Sequence, residues 1–197
     1  MTAHRTHQIT PTLIGDGPWG EELAQLVDFH GQGSATRSVH ETAAPPSPPA
    51  LPPTSGEHRT ARCALRPEPG AVKVARDFTR ATLEQWRADG LFDNATVVDD
   101  AAVIMSELVT NAVRYGLRAG VARSAADARI ELVLLRRTGR LVCVVIDPNP
   151  GPPMLMEADC VAETGRGLGV VENLSNQWGW TPLSTDRKAV WAALALA

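Results

Sequence analysis

Two polar residues, Glu107 and Asn111, lie four positions apart in a segment with helical periodicity, and both carry groups used in phosphate chemistry. Residues with this spacing stack on one face of a helix, here beside its apolar stripe, so both are expected at the rim of the core. A glutamate there can accept a proton from an attacking hydroxyl or water, and an asparagine oxygen suits Mg²⁺. From spacing alone, two ordinary solvated helix residues would be the commoner explanation. The apolar stripe comprises Ala101, Met105, Leu108, Ala112 and Tyr115.

A single carboxylate, Asp147, ends the continuously apolar segment 141–146 and opens a loop that runs through Asn149 to Gly151. A carboxylate at the end of such a strand is expected to be largely buried, and a buried acceptor needs a hydrogen-bond donor. An adenine amino group would supply that donor, whereas guanine has a carbonyl at the same position and would be rejected. The alternative is an Asx turn, because aspartate before proline commonly begins a turn.

Glycines occupy the alternate positions 165, 167 and 169, where a helix is predicted to begin. Backbone N–H groups in such a loop can approach an anion closely, and a helix N-terminus favours negative charge. The segment is not a Walker A loop, because no Gly-Lys-Ser/Thr follows, and it does not follow a strand as a dinucleotide fingerprint does. A flexible connector is the alternative for this segment taken alone.

The order and separation of these three segments resemble the GHKL superfamily of ATP-binding domains, whose members include gyrase B, histidine kinases and MutL. Residues 107–116 match the N box of that superfamily, Asp147 matches its G1 aspartate, and residues 165–169 match its G2 box. Within the superfamily the chain looks most like the anti-sigma-factor serine/threonine kinases, a single-domain branch. Residues 66–70, Arg-Pro-Glu-Pro-Gly, and the closing Val190-Trp191 also look like this branch. The resemblance extends over residues 62–195.

This resemblance implies roles for individual residues and two cofactors, ATP and Mg²⁺. Glu107 would be the general base, Asn111 the Mg²⁺ ligand and Asp147 the adenine acceptor, with residues 152–164 as a mobile lid. The remaining nucleotide contacts would come from Gly151, Gly165, Arg166, Gly167, Leu168 and Gly169.

Kinases of this branch transfer the γ-phosphoryl group of ATP to a serine or threonine of an antagonist protein, hold a sigma factor inactive, and are usually homodimers. The resemblance therefore predicts an ATP-dependent regulatory kinase with those partners. The alternative is a non-catalytic ATP-binding module that regulates a partner by contact. Two departures favour that alternative: Asn149 stands where the G1 pattern has its first glycine, and Ala189 offers no hydroxyl on the late strand.

A sensor histidine kinase is a weaker hypothesis. It requires a phosphoacceptor histidine on a helix ahead of the N box, whereas all five histidines precede residue 59. The sequence after His40 soon reaches Pro45 and Pro46, where a helix cannot continue,.

Hydrophobic periodicity and turn signals predict the elements that must position these residues. Their order is strand, helix, helix, strand, strand, long loop, helix, strand, strand. Mostly antiparallel neighbours with helices on one face make this an α+β two-layer sandwich. The GHKL resemblance implies the Bergerat type of that sandwich, with a mostly antiparallel mixed sheet. The strands are predicted at 63–66, 129–136, 140–146, 177–180 and 188–194, and the helices at 71–87, 96–115 (capped by Asn94 or Thr96) and 167–174.

Composition divides the 197 residues into a tail and one domain. Residues 1–57 include a proline-rich stretch and are predicted to be disordered, with a short helix at 18–29. Residues 58–197 would form the ATP-binding domain. A net charge of −3 gives no nucleic-acid surface, and the sequence contains no apolar run long enough to cross a membrane,. Three cysteines without a CxxC pair fit a reducing compartment, so we expect a cytoplasmic protein,.

Overall fold

The computed structural model of the protein describes residues 7–8, 58–116, 129–155 and 167–196. The predicted helix at 18–29, the rest of the predicted tail apart from residues 7–8, and the site residues Gly165 and Arg166 lie outside the described residues. The strands are β1 (His7–Gln8), β2 (Arg59–Leu65), β3 (Ile130–Arg137), β4 (Arg140–Asp147), β5 (Met154–Leu155), β6 (Gln177–Ser184) and β7 (Arg187–Ala195). The helices are α1 (Ala71–Ala88), α2 (Ala95–Gly116) and α3 (Gly167–Leu174).

Five strands form the main sheet in the order β2-β3-β4-β7-β6, and every pairing in it is antiparallel. The predicted α+β sandwich is therefore confirmed, although the sheet in the described part of the chain is wholly antiparallel rather than mixed. The β4–β7 register places Asp147 directly opposite Lys188. The two-residue strands β1 and β5 form a separate antiparallel pair, with His7 opposite Leu155.

The helices begin and end where local chemistry predicts. Helix α2 is capped by Asn94, because the Thr96 N–H donates to its side-chain oxygen at 3.0 Å,. A turn with Gly90 at φ 75° separates α1 from that cap. The predicted buried stripe of α2 is correct for its first four members, but Tyr115 is 36% exposed, because it lies in the last turn, where the helix borders a cavity.

The sheet is apolar on both faces. One face packs against the helices in a large core that includes Ile104, Leu134 and Leu168. The other face carries a second apolar cluster, which includes Val144 and Trp191. Within the described part of the chain, this cluster consists of strand residues alone. This double-sided burial explains why β4 and β7 are continuously apolar between their ends. The charged residues Asp147 at the end of β4 and Lys188 near the start of β7 are also buried. No helix in the described ranges is both long and apolar enough to cross a membrane.

Candidate functional site

A cavity of about 240 Å³ opens where α2, α3 and the ends of β4 and β7 meet. This volume is slightly below the range of roughly 300–1,000 Å³ typical of small-molecule sites, and it suits a nucleobase better than a whole nucleotide. Its lining is largely apolar, with a few polar groups. The apolar and aromatic contributors are Leu108, Tyr115, Pro152, Pro153, Leu168 and Val190, and the polar ones are Asn111, Asp147, Asn149 and Lys188.

Three of the residues predicted from sequence therefore share one cavity: Asn111 from α2, Asp147 from the end of β4, and Leu168 from α3. Glu107 lies one turn before Asn111 and is half-buried. Gly169 lies within α3, and a Cβ built there would meet no atom within 4 Å. The α2, β4 and α3 segments singled out in the sequence converge in space, as their shared cavity requires.

Asp147 is a buried carboxylate held by two donors. Its side chain is 5% exposed, and its Oδ1 accepts a hydrogen bond from the Lys188 ammonium at 3.0 Å. The same oxygen accepts the Asn149 backbone N–H at 2.9 Å, so the predicted Asx turn is present as well. The protein thus supplies on Oδ1 the donor that a buried carboxylate needs. Oδ2 has no partner among the described residues, and Asp147 lines the cavity.

Burial raises the pKa of Asp147 above its ordinary value, because it penalises the charged form,. The Lys188 ammonium, the Asn149 N–H and the more distant Arg187 guanidinium oppose that rise. An ammonium at 3.0 Å is a partner for the ionised carboxylate,. The cavity therefore contains a desolvated carboxylate, Asp147, and the Lys188 ammonium stabilises its charged form.

Lys188 lines the cavity and donates to Asp147, although the sequence did not predict it as a site residue. It stands at the head of the otherwise apolar segment 188–197, where a lone charged residue is a recognisable signal. The identity of its partner depends on the β4–β7 register, which the sequence does not reveal.

Asn149, which replaces a glycine of the G1 pattern, organises the loop after β4. Its side-chain amide donates to the Tyr115 carbonyl at 3.2 Å, and its side-chain oxygen accepts the Gly151 N–H at 2.9 Å. The loop is thereby joined to the end of α2. Gly151, predicted to contact nucleotide, does not line the cavity, and its N–H is already used within the loop.

Glu107 lies directly against the first residue of α3. A Cβ built at Gly167 would lie 2.6 Å from Glu107 Oε2, closer than such contacts occur in proteins. The glycine thus allows the helix N-terminus, which favours negative charge, to approach the carboxylate. This contact joins the predicted base to the predicted glycine loop.

Replacing Gly167 with alanine is expected to displace the Glu107 carboxylate, because the flexible end of that side chain can move more easily than backbone. For the phosphoryl transfer that the GHKL resemblance predicts, we expect a loss of about 10-fold or more, since misplacement of a catalytic group by about 1 Å can cost 100-fold. Binding of ATP should change less than threefold. Steady-state transfer rates and equilibrium titrations measure the two effects.

Gly70→Ala is the matched control, because no heavy atom lies within 4 Å of a Cβ at that position. Equal transfer rates for Gly167→Ala and Gly70→Ala would show that the Glu107–Gly167 contact has no role in the reaction.

The donor set fits a metal bound mainly through a nucleotide. The Asn111 amide lines the cavity and has no hydrogen-bond partner among the described residues. No cluster of three or more His, Cys, Asp or Glu side chains in those residues could hold a metal ion by itself. Mg²⁺ keeps several waters and takes one or two protein ligands beside phosphate oxygens, so a single amide oxygen suffices.

A known domain family matches most of the chain. The sequence profile of the histidine kinase-like ATPase domain matches residues 65–193. No curated protein sequence matches the chain. Among solved structures, the chain is similar to the RsbU and RsbW domains of Rv1364c from Mycobacterium tuberculosis, with 19% sequence identity and a TM-score of 0.47. That similarity covers 70% of this chain and 32% of the other, so the chain spans about a third of the length of that structure.

Proposed function

The chain belongs to the histidine kinase-like ATPase domain family, and on that premise we propose that it is an ATP·Mg²⁺-dependent serine/threonine kinase that regulates an antagonist protein. The observation that carries the proposal is the convergence of Asn111, Asp147 and Leu168 on one cavity, with Glu107 one turn before Asn111 and against Gly167. These are residues from three separate segments of the chain.

The adenine base would occupy the cavity, where the apolar side chains of Leu108, Leu168 and Val190 cover its faces. Asp147 Oδ2, the carboxylate oxygen that has no partner among the described residues, would accept a hydrogen bond from the 6-amino group. Burial makes this contact selective, because a base without a donor there leaves a desolvated carboxylate oxygen unpaired.

The triphosphate would extend toward the N-terminus of α3 and the residues before it. Asn111 would hold Mg²⁺ through its side-chain oxygen, and the ion would supply charge neutralisation for the phosphate oxygens. Gly165, Arg166 and Gly167 would approach the phosphates through backbone N–H groups, as the G2 resemblance implies.

Glu107 would act as general base. In the transfer, the serine or threonine hydroxyl oxygen of the partner forms a bond to the γ-phosphorus while the bond to the β-phosphate oxygen breaks and ADP leaves. The hydroxyl proton passes to the Glu107 carboxylate. Phosphoryl transfer relies mainly on positioning and electrostatics. A general base, Mg²⁺ and backbone N–H groups around the phosphates are therefore sufficient for it.

The resemblance of residues 66–70 to the anti-sigma-factor branch supports a partner-switching role in transcription. We therefore extend the proposal to a cytoplasmic homodimer that holds a sigma factor and phosphorylates its antagonist.

A non-catalytic ATP-binding module is the second candidate. The G1 loop favours it, because Asn149 replaces a glycine and engages the Gly151 N–H, so this loop is pinned rather than free to close over a ligand. Both candidates bind ATP, and only the kinase transfers phosphate.

Incubation of the full chain with γ-labelled ATP, Mg²⁺ and a host lysate distinguishes the two candidates. The kinase proposal predicts a labelled serine or threonine protein whose labelling disappears when Glu107 is changed to glutamine. ATP binding without any such labelled protein would support the contact-only module instead.

Replacement of Asn111 with alanine is expected to remove the dependence of nucleotide affinity on Mg²⁺. We expect Mg·ATP affinity to fall by at least about tenfold, close to 1.4 kcal/mol, because the ion loses its protein ligand. The fold should remain intact, since Asn111 is half-buried and its amide has no partner among the described residues. Titrations with and without Mg²⁺ measure the effect, and thermal unfolding checks the fold.

Asn173→Ala, a change at an exposed position on α3, is the control. If Asn111→Ala kept the full Mg²⁺ dependence of the wild-type chain, the assignment of Asn111 as metal ligand would be wrong.

A further inference from the structure

Lys188 provides the cavity with a hydrogen-bond donor that the proposed function does not use. Its side chain is 6% exposed and lines the cavity. An ammonium has three N–H donors. One donates to Asp147 Oδ1 at 3.0 Å and another to the Asn149 carbonyl oxygen at 2.8 Å. The third has no acceptor among the described residues.

Asp147 is arranged in the complementary way. Its Oδ1 receives both Lys188 and the Asn149 N–H, so that oxygen is occupied. Its Oδ2 remains as an acceptor. Because Asp147 and Lys188 are directly opposite each other on β4 and β7, the cavity wall presents an acceptor and a donor side by side.

Stability alone does not account for this pair. The cost of desolvating two buried charges can exceed their attraction, and apolar residues of similar volume are often as stabilising. Lys188 also donates to the Asn149 carbonyl oxygen, and Asp147 accepts the Asn149 N–H. These bonds hold both head groups in place, which is what groups that read a ligand require.

We propose that Lys188 is a specificity-determining residue that reads the nucleobase directly. Its third N–H donates to N1 of adenine while Asp147 Oδ2 accepts the 6-amino group, so the two side chains recognise adjacent acceptor and donor atoms on one edge of the base. The inference rests on the proposed ATP site. Guanine presents these atoms in the opposite order, with a carbonyl at position 6 and an N–H at position 1.

The test compares ATP with 1-deaza-ATP, in which a C–H replaces N1 and the amino group is kept. The full wild-type chain is expected to bind 1-deaza-ATP about ten- to hundredfold more weakly than ATP, the range for loss of a hydrogen bond to a charged group. Lys188→Met, which removes the donor, should bind the two nucleotides with affinities within about twofold. Lys73→Met is the control, because Lys73 on α1 is 81% exposed and should keep the wild-type discrimination.

The outcomes separate this inference from the ATP site itself. If the wild-type chain binds ATP and 1-deaza-ATP equally, Lys188 does not read N1, although the ATP site stands. If GTP binds as tightly as ATP, the assignment of donor and acceptor to N1 and the amino group is wrong. Absence of any ATP binding would remove both proposals. Should Lys188→Met fail to fold, the wild-type chain still tests the inference, because equal binding of ATP and 1-deaza-ATP would overturn it.

Discussion

Replacement of Asp147 with asparagine is expected to reduce ATP affinity by about 100-fold or more and to destabilise the fold at the same time. The amide would leave the base without its carboxylate acceptor in a desolvated site. It would also leave the Lys188 ammonium, which is 6% exposed, without its counter-ion. Loss of one partner of a buried pair costs about 3–5 kcal/mol. Calorimetric titration measures the affinity, and urea denaturation measures the free energy of unfolding.

A double variant, Asp147→Asn with Lys188→Met, separates these two effects. Because the unpaired buried charge is gone, most of the lost stability should return, while ATP affinity stays low. Asp99→Asn is the surface control, since that carboxylate is 65% exposed. ATP affinity within threefold of wild type in the double variant would exclude Asp147 from the nucleotide site.

Replacement of Glu107 with glutamine is expected to slow phosphoryl transfer by about 10²–10⁴-fold, the usual contribution of a general base. The amide has nearly the same shape and can keep its place against Gly167, but it cannot accept the hydroxyl proton. ATP affinity should stay within threefold, because Glu107 does not line the cavity around the base. Single-turnover transfer to the labelled protein partner, together with an ATP titration, measures both quantities.

Glu172→Gln is the matched control, because Glu172 is an exposed glutamate on α3, the helix that Glu107 contacts. Transfer by Glu107→Gln at the wild-type rate would mean that another group accepts the proton, or that none is needed.

The secondary structure could be predicted closely where periodicity is strong. Helix α3 has the predicted bounds, since its glycine start and apolar pattern are both visible in the sequence. The two edge strands are longer than the sequence predicts. Strand β6 runs to Ser184 through Pro182, which an edge strand tolerates because its missing N–H faces away from the sheet,. Strand β2 begins at Arg59, before the predicted start at residue 63, because a half-exposed edge strand need not be apolar.

The sequence predicted individual residues of the candidate site, but not which of them pair with one another. Asn111 and Asp147 stood out because their chemistry is unusual beside apolar segments. Lys188 was missed as the partner of Asp147, because strand register depends on tertiary pairing and no local pattern in the sequence encodes it. Tyr115 fits the apolar stripe by spacing, yet the end of α2 meets a cavity instead of the core.

In this histidine kinase-like ATPase domain one carboxylate, one amide and a helix that begins with glycine meet in one place. The buried Lys188 and the Asn149 bridge to α2 both lie beside Asp147, so substitutions at these two positions are expected to change nucleotide affinity or base selectivity.

Photolabelling of the full chain with 2-azido-ATP and Mg²⁺, followed by mass spectrometric mapping, tests the location of the nucleotide most directly. We expect excess ATP to abolish the labelling and the labelled peptides to come from the cavity walls, at residues 108–115, 147–153 or 188–190. Labelling that ATP does not prevent, or that falls only on peptides remote from these walls, would contradict it.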